Sequence, residues 1–187
     1  EGGSTLQTHP RKDADVTHAD DIWRDVFVTG HKNAHAVENQ ALALMDRQIE
    51  RARIFTEVAD RLKAHRVETE GQIVRLETLL SGFDEKPSGL KDAALSLGGN
   101  LAALGHSFAE DEILKNALAN YAFENFEVAS YRALILLAES GGYAEAYDPL
   151  RATLEEEARM ARWVDESLPG LVEKHLELRR AGEDASR

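Results

Sequence analysis

The sequence predicts an all-α protein, most simply a four-helix bundle in which two antiparallel helical hairpins pack together. Three observations support this fold class. Apolar residues recur at spacings of three and four over long segments, and no segment alternates with the period of two that a strand requires. No proline occurs between Pro10 and Pro87. The clearest turn signals, Ser81–Gly89 and Gly141-Gly142, leave segments long enough for bundle helices.

The first hairpin is predicted between about Asp20 and Ser81. A single helix of that length would project from a domain of this size, so the segment should fold back on itself. Thr56, followed by Glu57, is the N-cap candidate near its middle and therefore marks the expected break between the two helices.

The second hairpin is predicted after the Ser81–Gly89 loop. We expect a short extra helix from about Leu90 to Leu97 in the connection, and then a periodic helix from about Glu110 to Ser140 that ends at the glycine pair. The last helix should run from about Ala144 to Leu168, where Pro169-Gly170 interrupts the pattern.

These boundaries predict one folded domain with two polar ends. Residues 1–19 are expected to form a disordered tail, 20–170 the four-helix bundle, and 171–187 a charged C-terminal extension.

Composition restricts the partners. The 187 residues include 34 acidic and 22 basic side chains, a net charge of −12, which disfavours nucleic acid and anionic membrane surfaces as partners. The absence of cysteine excludes disulfides, thiolate zinc sites and iron–sulfur clusters and fits a reducing compartment, so we expect a cytoplasmic protein. Any metal would have to be held by oxygen and imidazole.

Charged residues inside the apolar stripes are the most informative feature. Every long helix carries at least one at a spacing of three or four from core positions. These residues are Glu38 in the first helix, His65 with Glu68 on its flank in the second, Glu124 and Glu127 in the third, and Glu157 in the fourth. Glu156 lies one position off the stripe and competes with Glu157 for the inward place.

An isolated ionised carboxylate in a core costs several kcal/mol unless it is paired or binds a cation. Any one of these acids could be a misphased surface residue, but their recurrence on every helix calls for a common explanation. Bundle cores that hold two iron or manganese ions use glutamates from facing helices together with Glu/His pairs three residues apart. His65/Glu68 and Glu124/Glu127 are such pairs, the former in the reverse of the usual Glu-x-x-His order.

The same residues carry a resemblance to a known family. The segment Ala64–Glu77, which contains His65-x-x-Glu68-Thr69-x-x-Gln72, precedes the turn-rich loop. Glu124-Asn125-Phe126-Glu127 and Leu154-Glu155-Glu156-Glu157 then follow in order. Over about Asp21 to Leu168, this pattern resembles the YciF-like group of ferritin-like proteins (DUF892).

The resemblance implies a ferritin-like bundle, a homodimer, an association with bacterial stress and a dinuclear metal centre of two Fe ions, with Mn as the other candidate. It also implies a set of metal ligands at the matching positions. They are Glu38, His65, Glu68, Glu124, Glu127 and either Glu156 or Glu157.

Two hypotheses about function follow from these observations. In the first, the metal centre oxidises Fe(II) or reacts with oxygen or peroxide, and the chain is a ferroxidase or peroxidase-like oxidoreductase. In the second, it is a non-catalytic ferritin-like dimer that acts as a binding or scaffolding stress protein without a functional metal. Tyr131, His31 and His35 lie near the acids in sequence and could extend the site, although each is also explained by packing.

Overall fold

Four long helices form the protein in the computed structural model, which describes residues 13–87 and 111–185. They are α1 (Asp13–Arg51), α2 (Thr56–Gly82), α3 (Glu112–Gly141) and α4 (Tyr147–Ala181), with a 3₁₀ turn (Ala144–Ala146) before α4. The all-α class and the four-helix bundle are confirmed. The short helix expected over Leu90–Leu97 lies outside the described residues. Among the helices described, none combines the length and apolar character that a membrane span needs.

Each helix packs against two neighbours, α1 against α2 and α3, and α4 against the same two. Hydrogen bonds between α1 and α3 join Gln48 to Asn120 and Arg51 to Glu112, which shows that these helices run antiparallel. The four inward stripes therefore face one common axis, with α1 diagonal to α4.

The core is divided along this axis into apolar clusters. One cluster surrounds Phe27, Leu76 and Leu134, and another surrounds Val37, Leu62 and Met160. On each helix, the charged stripe residues lie where one apolar cluster gives way to the other. Glu38 directly follows Val37, for example, and His65 lies one turn beyond Leu62. The fold thus places a charged layer between two apolar ones.

The turn between α1 and α2 confirms the break predicted at Thr56, but not the predicted cap. Thr56 is the first helical residue, and the preceding Phe55 makes no side-chain capping hydrogen bond to the described chain. Instead, Phe55 is buried against Ile113, Ala117 and Leu171. Burial of an aromatic ring, rather than a polar cap, fixes this turn.

Two predicted boundaries were wrong. The first helix begins at Asp13, inside the segment 1–19 that we expected to be disordered. The last helix continues through Pro169 to Ala181 and takes in much of the expected 171–187 extension. The ring of Pro169 leaves one carbonyl group in the preceding turn of the helix without its usual hydrogen bond, and because Pro169 is exposed this carbonyl can bond to water. Leu171, two residues further on, is buried in the core.

We predict opposite effects on stability for two glycine substitutions. Gly142 ends α3 with φ of 72°, so Gly142→Ala should lower the free energy of unfolding by about 1 kcal/mol. Gly170 lies inside α4 with open space where a Cβ atom would lie, so Gly170→Ala should raise it by about 0.5 to 1 kcal/mol. Urea unfolding measures both, and destabilisation by Gly170→Ala would contradict a helix that continues past Pro169.

Candidate metal centre

Five buried ionisable residues converge on the bundle axis, and at least one comes from each helix. They are Glu38 of α1, His65 of α2, Glu124 and Glu127 of α3, and Glu157 of α4. None is more than 5% exposed. One ligand atom from each of His65, Glu124 and Glu157 lies within 4.8 Å of the other two, an arrangement suited to a metal ion.

His65 is held between two sets of carboxylates. Its Nε2 atom lies 3.3 Å from Glu124 Oε2 and 3.5 Å from Glu157 Oε2. On the other side of the ring, Nδ1 lies 2.9 Å from Glu68 Oε2. Glu68 is fixed in turn by Arg159, whose guanidinium is 3.2 Å from Glu68 Oε1. A carboxylate on Nδ1 orients an imidazole and leaves Nε2 free to bind a metal.

Glu38 of α1 and Glu127 of α3 form the second part of the cluster. The hydroxyl of Tyr131, itself 1% exposed, donates a hydrogen bond to Glu38 Oε1. Glu127 is 2% exposed, and its carboxyl group is close enough to those of Glu38, Glu157 and Glu124 to be repelled by them. Tyr131 thus fixes one oxygen of Glu38 at the edge of the cluster.

The structure separates Glu157 from Glu156. Gln72 Nε2 donates hydrogen bonds to Glu157 Oε1 and, over 3.1 Å, to Glu156 Oε2. The guanidinium of Arg75 pairs with Glu156 and also donates to Thr153 Oγ1 over 3.0 Å. Glu157 therefore joins the buried cluster, whereas Glu156 is held beside it by Arg75.

Three carboxylate oxygens of the cluster lack hydrogen-bond partners among the described residues. They are Glu124 Oε2, Glu127 Oε1 and Glu157 Oε2. His65 Nε2 lies 3.3 Å from the first and 3.5 Å from the third without forming a hydrogen bond to either. Glu112 provides a contrast within the same protein. Both of its oxygens accept hydrogen bonds of 2.5 Å from Arg51, so this buried acid has its own cation. Within the described ranges, the clustered acids have none of comparable geometry, and oxygen donors with one imidazole fit a hard divalent cation.

Burial and mutual repulsion control the protonation of the acids. Desolvation, followed by repulsion from neighbouring carboxylates, raises the pKa of Glu38 and of Glu127 well above the usual value. Desolvation raises the pKa of Glu124 to about 8, although His65 opposes the shift. Without a cation, the carboxyl of Glu124 therefore holds its proton at neutral pH, and those of Glu38 and Glu127 hold theirs to a higher pH than a free glutamate does.

The pKa values of His65, Glu68 and Glu157 shift in the direction opposite to that expected of isolated buried groups. Desolvation would lower the pKa of His65, but the close carboxylates of Glu124, Glu157 and Glu68 raise it to about 12. The hydrogen bond from His65 lowers the pKa of Glu68 to about 2. Burial opposes ionisation of Glu157, yet contact with His65 lowers its pKa as well. A divalent cation would therefore have to displace a proton from His65.

The other sequence candidates lie apart from the cluster. His31 is buried against Phe27 and bonds to its carbonyl oxygen at 2.8 Å through Nδ1. His35 Nε2 lies 3.1 Å from Glu77 Oε1. His35 is thus paired within the first hairpin, whereas His31 packs on Phe27 and its Nε2 atom is buried without a hydrogen-bond partner among the described residues.

Sequence reasoning did not assign Gln72 and Arg75 to the site. Gln72 follows His65 by two helical turns and is 0% exposed, so its signal was a polar residue on the same stripe. Arg75 had no comparable signal, because its partner Glu156 comes from another helix.

Comparison with known proteins places the chain in a family. Residues 23–177 match the model of a domain of unknown function, DUF892. The chain belongs to the DUF892 family. Protein YciF of Escherichia coli (strain K12) is 31% identical over 137 residues, which cover 71% of this chain and 82% of YciF.

Solved structures of similar proteins share the fold. The structure of the E. coli stress protein YciF aligns with a TM-score of 0.70 and 27% identity, over 81% of this chain and 98% of that one. A protein from Xanthomonas campestris pv. campestris aligns with a TM-score of 0.70 and 26% identity, over 84% of this chain and 99% of its own. The predicted resemblance to the YciF-like group is confirmed.

We predict that the metal-free DUF892 protein loses stability as pH rises. Folded Glu124 keeps its proton up to a pKa of about 8, compared with 4.5 for the free side chain, and His65 keeps its proton to about 12, compared with 6.5. The folded state therefore binds more protons, and the free energy of unfolding should fall between about pH 5 and 9.

Urea unfolding in the presence of a chelator, repeated across this pH range, measures the slope. Glu124→Gln should make the slope shallower, and Glu155→Gln, at an exposed position of α4, serves as the matched control that leaves it unchanged. A free energy of unfolding that is constant or rises with pH would contradict the assigned protonation states.

Proposed function

We propose that this DUF892 protein is ferritin-like in function as well as in helix arrangement. In this proposal, it holds two iron ions, or two manganese ions, and oxidises Fe(II) or reacts with oxygen or peroxide during a stress response. The observation that supports the proposal is the buried group of His65, Glu124 and Glu157, whose ligand atoms lie within 4.8 Å of one another, with the buried carboxylates of Glu38 and Glu127 beside it. Three carboxylate oxygens of this cluster lack a hydrogen-bond partner among the described residues.

Charge balance favours two divalent ions over one. Glu38, Glu124, Glu127 and Glu157 supply four negative charges when ionised, and His65 is neutral when its Nε2 atom binds a metal. Two divalent cations would neutralise that set, whereas one would leave two buried negative charges. Repulsion between the carboxylates, which raises the pKa of Glu127 in the metal-free state, is relieved in the same way.

Residues around the cluster are suited to hold and orient the ligands. Glu68 would accept the Nδ1 proton of His65 and fix the ring, while Gln72 would hold one oxygen of Glu157 and turn the other toward the axis. Tyr131 would do the same for Glu38. Bound iron would supply the one-electron redox chemistry that these side chains lack.

The proposed stress role rests on similarity to YciF, and the proposed homodimer on the family resemblance seen in the sequence. E. coli YciF is described as a stress protein, and its fold is shared by this chain. We extend that role, and a homodimeric assembly, to this protein as part of the proposal.

We predict about two equivalents of iron or manganese per chain when the protein is purified without chelator. His65→Ala and Glu127→Gln should each lower the metal content, because one removes the imidazole and the other a buried carboxylate. Elemental analysis measures this content directly. Glu155→Gln is the matched control, since this acid is on α4 but exposed, and it should retain full metal.

Metal-free wild-type protein, together with undiminished stability in His65→Ala and Glu127→Gln, would contradict the proposal. It would favour the second candidate function, a scaffolding or binding protein without a functional metal. One observation supports that alternative. Protons on Glu38 and Glu127, together with an ion pair between His65 and Glu157, can balance the charge of the cluster without a cation.

A further inference from the structure

Two clefts between α1 and α3 reach the buried cluster at different carboxylates. One cleft, of about 310 Å³, is lined by Glu38, Glu127 and Tyr131 at its inner end. The other, of about 590 Å³, is lined by Glu124. Both lie along the interface of the same two helices, so the cluster is accessible from two directions on one face of the bundle.

The smaller cleft, which we call the apolar cleft, has no basic side chain among the described residues that line it. Apart from the inner residues, its walls are small or apolar, and Asn33 and Ser130 are the polar residues among them. The rest of its lining comprises Gly30, Ala34, Val37, Phe126, Ala133, Leu134 and Leu137. Such walls offer no charge or dense polar surface to replace the hydration shell of an ion.

The larger cleft, which we call the polar cleft, has more polar and charged residues among its apolar ones. Gln48 and Asn120, which line it, exchange hydrogen bonds of 3.0 and 2.8 Å. Its charged lining residues are the basic Arg47 and Arg51 and the acidic Glu50, Glu112 and Glu124, so acids outnumber bases, and Arg51 is paired with Glu112. Glu124 Oε2 at the cluster and Gln40 Oε1 are both buried without a hydrogen-bond partner in the described part of the chain. Unpartnered oxygens along a polar passage are suited to a cation that exchanges its water ligands one at a time.

A packed apolar group separates the two clefts. Val37 lines the apolar cleft, Ala41 and Phe123 line the polar cleft, and all three belong to one buried cluster. A molecule in one cleft therefore reaches Glu38 and Glu127, whereas a molecule in the other reaches Glu124.

We propose that the two clefts are separate access routes to the metal centre for different molecules. The apolar cleft binds and admits the small uncharged oxidant, and the polar cleft admits the divalent cation. This inference rests on the proposed function, since both routes end at the carboxylates that would hold the metal. Tyr131 lies where the apolar cleft meets Glu38, so its hydroxyl, which donates to Glu38, is beside the carboxylates that an entering oxidant would reach.

Two matched variants of α3 test the division. Ser130 lines the apolar cleft and Ala119 the polar cleft, and both are half-buried small residues. Ser130→Phe and Ala119→Phe each place a phenyl ring in one cleft and leave the five clustered residues intact. Urea unfolding of each variant verifies that the bundle remains folded.

Xenon, used as an apolar probe, examines the first cleft in metal-free protein. Under xenon pressure, the methyl NMR signals of Val37 and Leu134 should shift in the wild type and in Ala119→Phe, and the shifts should be lost in Ser130→Phe. Wild-type methyl signals that do not respond at these positions would overturn the apolar binding site.

Cobalt(II) uptake, followed by stopped-flow absorbance, examines the second cleft. Ala119→Phe should slow uptake several-fold, while Ser130→Phe should take up the ion at the wild-type rate. Equal slowing in both variants would overturn the division by showing one shared entrance. If the wild type takes up no cobalt, iron or manganese, the proposed function and the cation route fail together, and the xenon result alone decides the apolar cleft.

Discussion

The burial of four carboxylates and one imidazole in the centre of the bundle is the constraint on which the rest of the structure depends. Each of Glu38, Glu124, Glu127 and Glu157 comes from a helix whose other inward residues are largely apolar, so the bundle cannot form without enclosing all four. Ionised together without a cation, they would repel one another in a medium that solvates them poorly. The bundle must therefore take up either protons or cations at its centre.

The surroundings of the cluster limit how it can respond. Apolar clusters on either side, around Leu76 and around Met160, exclude bulk water from the axis. Hydrogen bonds with Gln72, Tyr131 and Glu68 hold Glu157, Glu38 and His65 from outside the cluster. Their remaining polar atoms are therefore directed toward the bundle axis. Two clefts in the α1–α3 face leave this otherwise closed centre accessible. Oriented side chains and limited access are features that support the proposed metal site.

Helical periodicity made most of this centre predictable from sequence. A residue in the middle of an apolar stripe faces the core whatever the details of packing, which is why Glu38, Glu127 and Glu157 could be chosen. Helical periodicity did not determine whether a residue on the flank of a stripe faces the core. Glu68 pairs with His65 Nδ1 and Arg159, and Glu156 pairs with Arg75, because cations from the same layer hold them there. The end of α4 was also predicted wrongly, because the burial of Leu171 extends this helix beyond an exposed proline.

Anomalous scattering at the iron edge, from crystals grown with Fe(II) under anaerobic conditions, tests the central claim most directly. If the acids are buried to hold metal, two anomalous peaks should appear between Glu38, Glu124, Glu127, Glu157 and His65 Nε2. If no peak appears there, and the carboxyl oxygens lie within hydrogen-bonding distance of one another, protons alone satisfy the cluster and the account of a metal centre is contradicted.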